Sequence, residues 1–241
     1  TRKESSAASD VYKRQIIGYI GGGIFLLQSV TKVKIHETRR VGILLAFVGG
    51  FLDVHTYLLR GGVFANAQTG NMVLLMLQIS EGQWMKALYY IVPIIAFFSG
   101  VVVTEFVKLH ERWHEYVLII EIGLLFLIGF YPVTFPAMIV NITISFICAM
   151  QISSFRKLRG AAYVTTVCTG NLRSAAEQLT LFYIRRDEEA KKKCLNYFII
   201  IFSFSLGALI GALLIKCLEI YAIWICCFIL IVVVVLLLRE N

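Results

Sequence analysis

The chain contains the polar tripeptide Thr-Gly-Asn twice, in two stretches that differ sharply from the apolar sequence around them. The first stretch, FANAQTGN, ends at Asn71, and the second, YVTTVCTGN, ends at Asn171. Thr or Asn at a helix start caps free backbone N–H groups, and a helix N-terminus suits an anion or a carbonyl oxygen. The pattern therefore predicts a paired site for a polar or anionic small solute. The candidate binding residues are Asn66, Gln68, Thr69, Gly70, Asn71, Thr165, Thr166, Thr169, Gly170 and Asn171.

Three charged side chains extend this candidate site. Asp53 lies in the apolar run FVGGFLDVHTYLL, and Glu121 lies in VLIIEIGLLFLIGF. A carboxylate inside a membrane segment is costly, so both are candidates for proton coupling, and Asp53 is also a candidate for binding. The alternative for Asp53 is a fixed hydrogen bond or an ion pair with Arg60. Arg173 is a candidate for an anionic substrate, although its i, i+4 spacing to Glu177 also predicts an ion pair between them.

The composition indicates that these residues belong to a membrane protein. Of 241 residues, 59% are hydrophobic and 16% are charged, whereas charged residues make up about a quarter of a soluble domain. Several apolar runs reach the length of about 20 residues that a helix needs to cross a bilayer. We interpret the net charge of +8 as a signal of membrane orientation, so no nucleic-acid partner is expected. The sequence has no nucleophile–base motif, phosphate loop or metalloprotease signature, and it predicts neither an enzyme, a cofactor nor a metal site.

The two polar stretches belong to an internal duplication. Arg60–Asn71 aligns with Arg159–Asn171 with one inserted residue, and both begin with Arg-Gly. Four further residues recur at one offset of 107 positions: Lys86, Leu88, Tyr90 and Gly100 match Lys193, Leu195, Tyr197 and Gly207. We therefore predict two repeats, 40–131 and 133–238, each with a long helix, a Thr-Gly-Asn segment and two more helices. The predicted segments are 41–59, 61–80, 87–107 and 116–131, then 133–153, 160–184, 194–216 and 218–238.

Charge indicates whether the Thr-Gly-Asn segments cross the membrane. The apolar run after Asn71, MVLLMLQI, covers about 12 Å as a helix, against a hydrocarbon core of about 30 Å. With both segments re-entrant, 15 Lys and Arg residues lie inside and 3 outside, leaving out residues 1–15 and Arg173. With both segments crossing, the split is 11 to 7. Cytoplasmic loops are enriched in Lys and Arg, which favours re-entry.

Each repeat then has three spans. Because this number is odd, the second repeat has the opposite orientation in the membrane to the first. We therefore predict an all-α polytopic membrane protein with about six transmembrane helices and two re-entrant half-helices, built from two inverted sequence repeats. Many transporters and channels are built in this way.

The N-terminal region is treated separately from this domain. Asp10–Gln15, DVYKRQ, matches a translation of the transposon-end DNA used in sequencing libraries. Residues 1–15 are therefore expected to be a non-native segment. The status of residues 16–35 stays open between a partial helix, a signal-like segment and further stray sequence. Residues 36–238 are predicted to form a single integral membrane domain.

Two stretches carry a family resemblance. HETRRVGILLAFVGGFLDVHTYLLRGGVFANAQTGNMVLL and AYVTTVCTGNLRSAAEQL resemble the YoaK-like family of bacterial inner-membrane proteins, a domain of unknown function. The resemblance covers roughly residues 36–238 and includes both Thr-Gly-Asn segments. It implies a multi-pass protein of the bacterial cytoplasmic membrane, for which the charge bias predicts a cytoplasmic N-terminus. It does not imply a substrate.

These observations lead to two functional hypotheses. The first is a small-solute transporter or channel whose site lies at the two Thr-Gly-Asn segments. Its partners would be the lipid bilayer and an unknown small solute, with homo-oligomerisation left open. The second is a non-transporting membrane scaffold or accessory subunit, in which the two turns only cap each other within a dry, packed centre.

Overall fold

The computed structural model describes residues 17–20, 23–26, 34–159, 161–166 and 168–239, and it divides into two units, Thr1–Lys32 and Val33–Asn241. In the smaller unit, β1 (Ile17–Ile20) and β2 (Gly23–Leu26) pair as an antiparallel hairpin. The prediction for residues 1–15 concerns a segment outside the described residues.

The larger unit is helical, and a 3₁₀ turn at Ile35–Glu37 leads into it. Within the described ranges its α-helices are α1 (Arg39–Leu59), α2 (Gln68–Ser80), α3 (Trp84–Val107), α4 (Trp113–Ile128), α5 (Ala137–Ser154), α6 (Cys168–Arg185), α7 (Glu188–Leu218) and α8 (Trp224–Leu238). A short hairpin of β3 (Lys157–Leu158) and β4 (Ala161–Ala162) precedes α6, and a second 3₁₀ segment (Glu219–Ile223) joins α7 to α8.

The all-α class is confirmed, and every predicted segment overlaps one of these helices. The bounds differ most in the second repeat. The helix predicted from residue 133 begins only after Pro136, and the polar linker IRRDEEAKKK is largely part of α7. Helix α7 starts early because the Asp187 carboxylate accepts hydrogen bonds from the N–H groups of Glu189 and Ala190, at 2.9 and 3.3 Å.

Four helical stretches of the described chain are long and apolar enough to cross a membrane: α1, α3, α5 and the continuous stretch Glu188–Leu238. The last has 51 residues, and as one straight helix it would measure about 76 Å, more than twice the hydrocarbon thickness of about 30 Å. It is interrupted at Glu219, whose φ of +48° is not α-helical. Helix α4 has 16 residues and is shorter.

The helices differ in how much of their surface faces other helices. Helix α1 runs through the core and packs against α5, α7 and α8, and residues such as Leu45 and Phe51 are fully buried. Helix α3 buries mainly small residues and leaves Phe98 and Phe106 69% and 66% exposed. An apolar surface this large is expected on a face that contacts lipid.

Two glycines let helices of different repeats approach closely. Helix α1 packs against α7, and α3 packs against α5. A Cβ atom at Gly207 would collide with the carbonyl oxygen of Phe47, and one at Gly100 would collide with that of Phe146. The two glycines occupy matching repeat positions, and each phenylalanine lies 13 residues before an Arg-Gly pair. The same close contact therefore occurs twice between the repeats, as is common where membrane helices pack through small residues.

The Gly207 contact gives a stability prediction. The Gly207→Ala variant should be destabilised by about 1–3 kcal/mol, because the added methyl group forces α7 away from α1. The control is Gly123→Ala, since a Cβ atom at Gly123 meets nothing within 4 Å, and this change should be neutral or stabilising by up to about 1 kcal/mol. Denaturation of the purified protein in detergent measures both. Equal effects of the two substitutions would contradict the close packing.

Candidate functional site

An asparagine closes each Thr-Gly-Asn segment. The Oδ1 atom of Asn71 accepts a hydrogen bond from the N–H of Phe64 at 3.0 Å, and its Nδ2 donates to the carbonyl of Phe64 at 2.6 Å. Asn171 makes the same two bonds to Val164, at 3.2 and 2.6 Å. In both cases the partner lies seven residues earlier. The side chain thereby satisfies two backbone groups of a segment that has left helical geometry.

Helices α2 and α6 begin at the Thr-Gly-Asn segments, as the sequence predicted, but the contact that forms the start of α2 differs from the prediction. Helix α2 begins at Gln68, and its N-cap residue, Ala67, has no side chain that could cap the helix. The amide of Asn71 instead reaches back from inside the helix to the preceding loop. Gly70 permits this fold because a Cβ atom there would lie 3.2 Å from the ring of Phe64. The capping role expected for Thr and Asn was therefore wrong for α2.

The two polar segments meet at a cavity of about 700 Å³. The helix starts contribute Gln68 and Thr69 from α2, and Cys168 and Thr169 from α6. Asp53 lines the same cavity from α1. Its other walls are mostly apolar and come from α1, α3 and α7. A cavity of this volume, with few polar groups on largely apolar walls, is typical of small-molecule sites.

Asp53 is held by the first polar segment. Its Oδ1 atom accepts a hydrogen bond from the N–H of Asn66 at 2.7 Å, and the side-chain amide of Asn66 lies 3.4 Å from the same oxygen. Asp53 is 6% exposed. A carboxylate this buried needs such donors, because burial without them strongly disfavours its charge.

The segments also converge on Gly49 of α1. The Nδ2 atom of Asn66 donates to the carbonyl of Gly49 at 3.1 Å, and the methyl group of Thr166 occupies the place of a Cβ at Gly49. Asn66 Oδ1 and Thr166 Oγ1 have no hydrogen-bond partner within the described part of the chain. Both residues line the cavity, but these two oxygen atoms are themselves buried.

The N-termini of α2 and α6 face one cavity, and this sets its electrostatic character. Each helix start carries partial positive charge because the peptide dipoles of the helix are aligned. Asp53 offsets this charge on the side of α2 through its bond to Asn66. At the matching position on the side of α6, the second repeat has the uncharged Ile152. The arrangement suits a ligand with an anionic group or a carbonyl oxygen near α6.

Several predicted site residues lie outside the cavity lining. These are Gly70, Asn71, Thr165, Gly170, Asn171 and Arg173. The side chains of Arg173 and Glu177 form an ion pair at 2.9 Å and are 82% and 55% exposed. The predicted i, i+4 pair is therefore present, and Arg173 faces away from the cavity that Asp53, Gln68 and Thr169 line.

Glu121 occupies a separate buried position. It is fully buried on α4, and its Oε1 atom accepts a hydrogen bond from Gln151 of α5 at 3.0 Å. Its Oε2 atom has no partner among the described residues. Glu121 does not line the cavity that contains Asp53, so the structure does not bring the two coupling candidates into one site.

The alternative ion pair between Asp53 and Arg60 was wrong. Arg60 is buried, and its guanidinium donates to the carbonyl oxygens of Pro132 and Tyr131 at 2.9 and 2.7 Å. The carbonyl of Arg60 accepts a hydrogen bond from Asn141 at 2.8 Å. Burial lowers the pKa of Arg60, but an arginine side chain stays protonated. Arg60 therefore joins the first Thr-Gly-Asn segment to the loop between α4 and α5.

Comparison with known proteins identifies the family of the chain. Residues 41–236 match the family described as "Protein of unknown function (DUF1275)". The chain belongs to this family. It is also 31% identical over 181 residues to the UPF0700 transmembrane protein YoaK of Bacillus subtilis (strain 168). These aligned residues cover 70% of this chain and 80% of that protein. No solved structure matches the chain.

Membership of this family confirms the resemblance seen in the sequence, and a transmembrane relative supports a membrane protein. Sequence reasoning missed other members of the site, among them Cys168, Phe97 and Phe204, which line the cavity. Because these residues lie in apolar stretches of the sequence, the sequence indicated only a packing role for them. The repeat alignment offered one signal, because Cys168 occupies the position that matches Gln68.

The asparagine contacts give a second prediction. Asn71→Ala and Asn171→Ala should each destabilise the protein by about 1–3 kcal/mol, because each change removes two hydrogen bonds to buried backbone groups. Asn71→Asp should also destabilise, since a carboxylate cannot donate to the carbonyl of Phe64. The neighbouring Thr69→Ala is the control, and its effect should stay within about 0.5 kcal/mol. Denaturation in detergent measures all four variants, and equal stability of Asn71→Ala and Thr69→Ala would contradict the assigned role.

Proposed function

We propose that the protein is a transporter or channel for a small polar or anionic solute, with its site in the cavity between the two Thr-Gly-Asn segments. The observation that carries this proposal is the cavity of about 700 Å³ at which both half-helix starts meet Asp53. Irregular backbone at membrane depth is tolerated where it is buried in protein or lines a cavity. Discontinuous helices that point their N-termini at a central site are typical of transporters.

The chemistry of the cavity supports a polar or anionic solute. The start of α6 offers partial positive charge, and Gln68, Thr69 and Thr169 contribute polar side chains to the lining. The aromatic rings of Phe97 and Phe204 on the walls suit the apolar part of the same solute. Asp53 would couple movement to a proton or a cation, since it is the carboxylate in the lining.

Two contacts support six spans with re-entrant Thr-Gly-Asn segments. Lys34, Lys108 and Arg156 line one pocket, although eight spans would put the loop of Lys108 opposite the N-terminal segment. Arg60 bonds to the carbonyls of Tyr131 and Pro132, which eight spans would put on the opposite side. The matching contacts of Gly100 and Gly207 support inverted repeats. The charge bias then assigns the N-terminus to the cytoplasmic side of the bacterial inner membrane.

A non-transporting scaffold or accessory subunit is the second candidate. The observation that favours it is that both polar atoms of Asn71 and Asn171 bind backbone groups of their own segments. Those side chains have a structural role whether or not a solute enters. The two functions differ in whether the cavity is used, and a flux measurement tests that directly.

The transport proposal predicts that filling the cavity blocks flux. In proteoliposomes, Ala208→Phe should lower solute flux at least tenfold, because residue 208 lies in the cavity wall. Leu209→Phe is the matched control, since Leu209 is 58% exposed on the outer face of the same helix. Radiolabelled small carboxylates, amino acids and sugars, together with an entrapped pH dye, serve as probes. If the wild type moves none of these solutes and no protons, or if Ala208→Phe is as active as Leu209→Phe, the proposal fails.

The coupling role of Asp53 has a separate test. Asp53→Asn keeps the side-chain size but removes the charge, so proton- or cation-driven accumulation should fall at least tenfold. Counterflow of the same solute, which needs no coupling ion, should be affected much less. Glu81→Gln, a change at an exposed carboxylate after α2, is the control. Normal accumulation by Asp53→Asn would exclude a coupling role.

The topology predicts a labelling pattern in whole cells. With native Cys217 replaced by Ser, a membrane-impermeant maleimide should label Lys86→Cys from outside and should not label Lys157→Cys. Native Cys217 is exposed and lies outside in either topology, so it serves as the positive control. Labelling at 157 without labelling at 86 would restore eight full spans.

A further inference from the structure

A second pocket, of about 320 Å³, lies at the end of the bundle where α3 and α5 finish. Three separate parts of the chain bring cationic side chains to it: Lys34 before α1, Lys108 after α3, and Arg156 and Lys157 after α5. Glu37 is the acidic residue among its described lining residues. We call this the basic pocket. Its charge excess suits an anion.

The cations of the basic pocket are only partly neutralised by the protein. Lys108 pairs with Glu105, which lies outside the lining. Arg156 and Lys157 form no ion pair with any residue that the structure describes, and both are exposed. Their charge is therefore available to a ligand. Guanidinium and ammonium groups together recognise phosphate through charge-assisted hydrogen bonds.

Two hydroxyl groups at the end of α5 also line the basic pocket. Ser153 and Ser154 are 7% and 5% exposed. The Oγ atom of Ser154 has no hydrogen-bond partner within the described ranges. A buried hydroxyl without a partner is costly, and an oxyanion in the pocket would accept a hydrogen bond from it. This unpartnered donor points to a ligand independently of the charge.

An aromatic stack separates the basic pocket from a larger cleft of about 660 Å³. The ring centroids of His36 and His114 lie 4.1 Å apart, and those of His114 and Trp113 lie 3.6 Å apart. These three residues and Lys34 line both the basic pocket and the cleft. An anion in the pocket could therefore belong to a larger molecule whose remainder occupies the cleft.

We propose that the basic pocket binds a phosphate-bearing anion, either free phosphate or the headgroup of an acidic phospholipid. Basic pockets between membrane helices at the cytoplasmic side commonly receive lipid headgroups. The site is distinct from the cavity at Asp53 and does not depend on transport. Arg156 and Lys157 supply the charge, and Ser154 supplies a buried donor.

Binding to the purified full chain in detergent tests this proposal. The probes are inorganic phosphate, short-chain phosphatidylglycerol and short-chain phosphatidylcholine. Arg156→Gln combined with Lys157→Gln should weaken binding of the anionic probes at least tenfold. The matched control, Lys191→Gln with Lys192→Gln, removes the same charge from exposed positions outside the pocket and should change binding less than twofold. Ser154→Ala should weaken binding about fivefold.

The two sources of phosphate are distinguished by affinity. Phosphatidylglycerol binding at least tenfold tighter than inorganic phosphate identifies a lipid headgroup, and equal affinities identify free phosphate. Wild-type binding should also weaken as salt rises, a readout that needs no variant to fold. The proposal is overturned if neither anionic probe binds, if phosphatidylcholine binds as tightly as phosphatidylglycerol, or if the control pair loses as much affinity as the pocket pair.

Discussion

A peptide group in the interior of a bilayer has no water to bond, so a chain that leaves helical geometry there must find its partners within the protein. Asn71 and Asn171 provide those partners, each with one donor and one acceptor for a single residue seven positions earlier. Among short side chains, a carboxylate lacks the donor and an aliphatic group lacks both. The positions at which α2 and α6 start, and therefore the cavity between them, depend on this paired contact.

The contacts that hold the helices around the cavity occur in both repeats, whereas the side chains that line the cavity differ between them. Gly100 and Gly207 make equivalent close contacts, and the two asparagines make equivalent hydrogen bonds. The lining differs at the position of Gln68, which Cys168 occupies in the second repeat. Because the lining differs between the two repeats, most of the polar side chains in the cavity lie on the side of the first repeat. A solute would therefore meet two unlike surfaces, which favours one orientation of binding over the other.

The sequence predicted the helices well because apolar runs of sufficient length have few alternatives in a bilayer. Matching residues also located the half-helices. The sequence could not predict the partners of the polar side chains, because these depend on how the irregular segments turn. Arg60 lies two helical turns from Asp53 in the sequence, but it binds carbonyls 71 and 72 residues further along the chain. The pairing of Glu121 with Gln151 likewise depends on the packing of two helices.

Asp53 bears most directly on the choice between transport and a scaffold role. Arg60 and Arg159 are matching positions, and by the same offset Asp53 corresponds to Ile152. The second repeat therefore makes the same asparagine contact with an uncharged residue at the position that matches Asp53. A buried carboxylate destabilises a packed interior unless its partners fully compensate for lost hydration. Because the second repeat makes its contact without this carboxylate and Asp53 lines the cavity, the transport proposal accounts for its cost and the scaffold proposal does not.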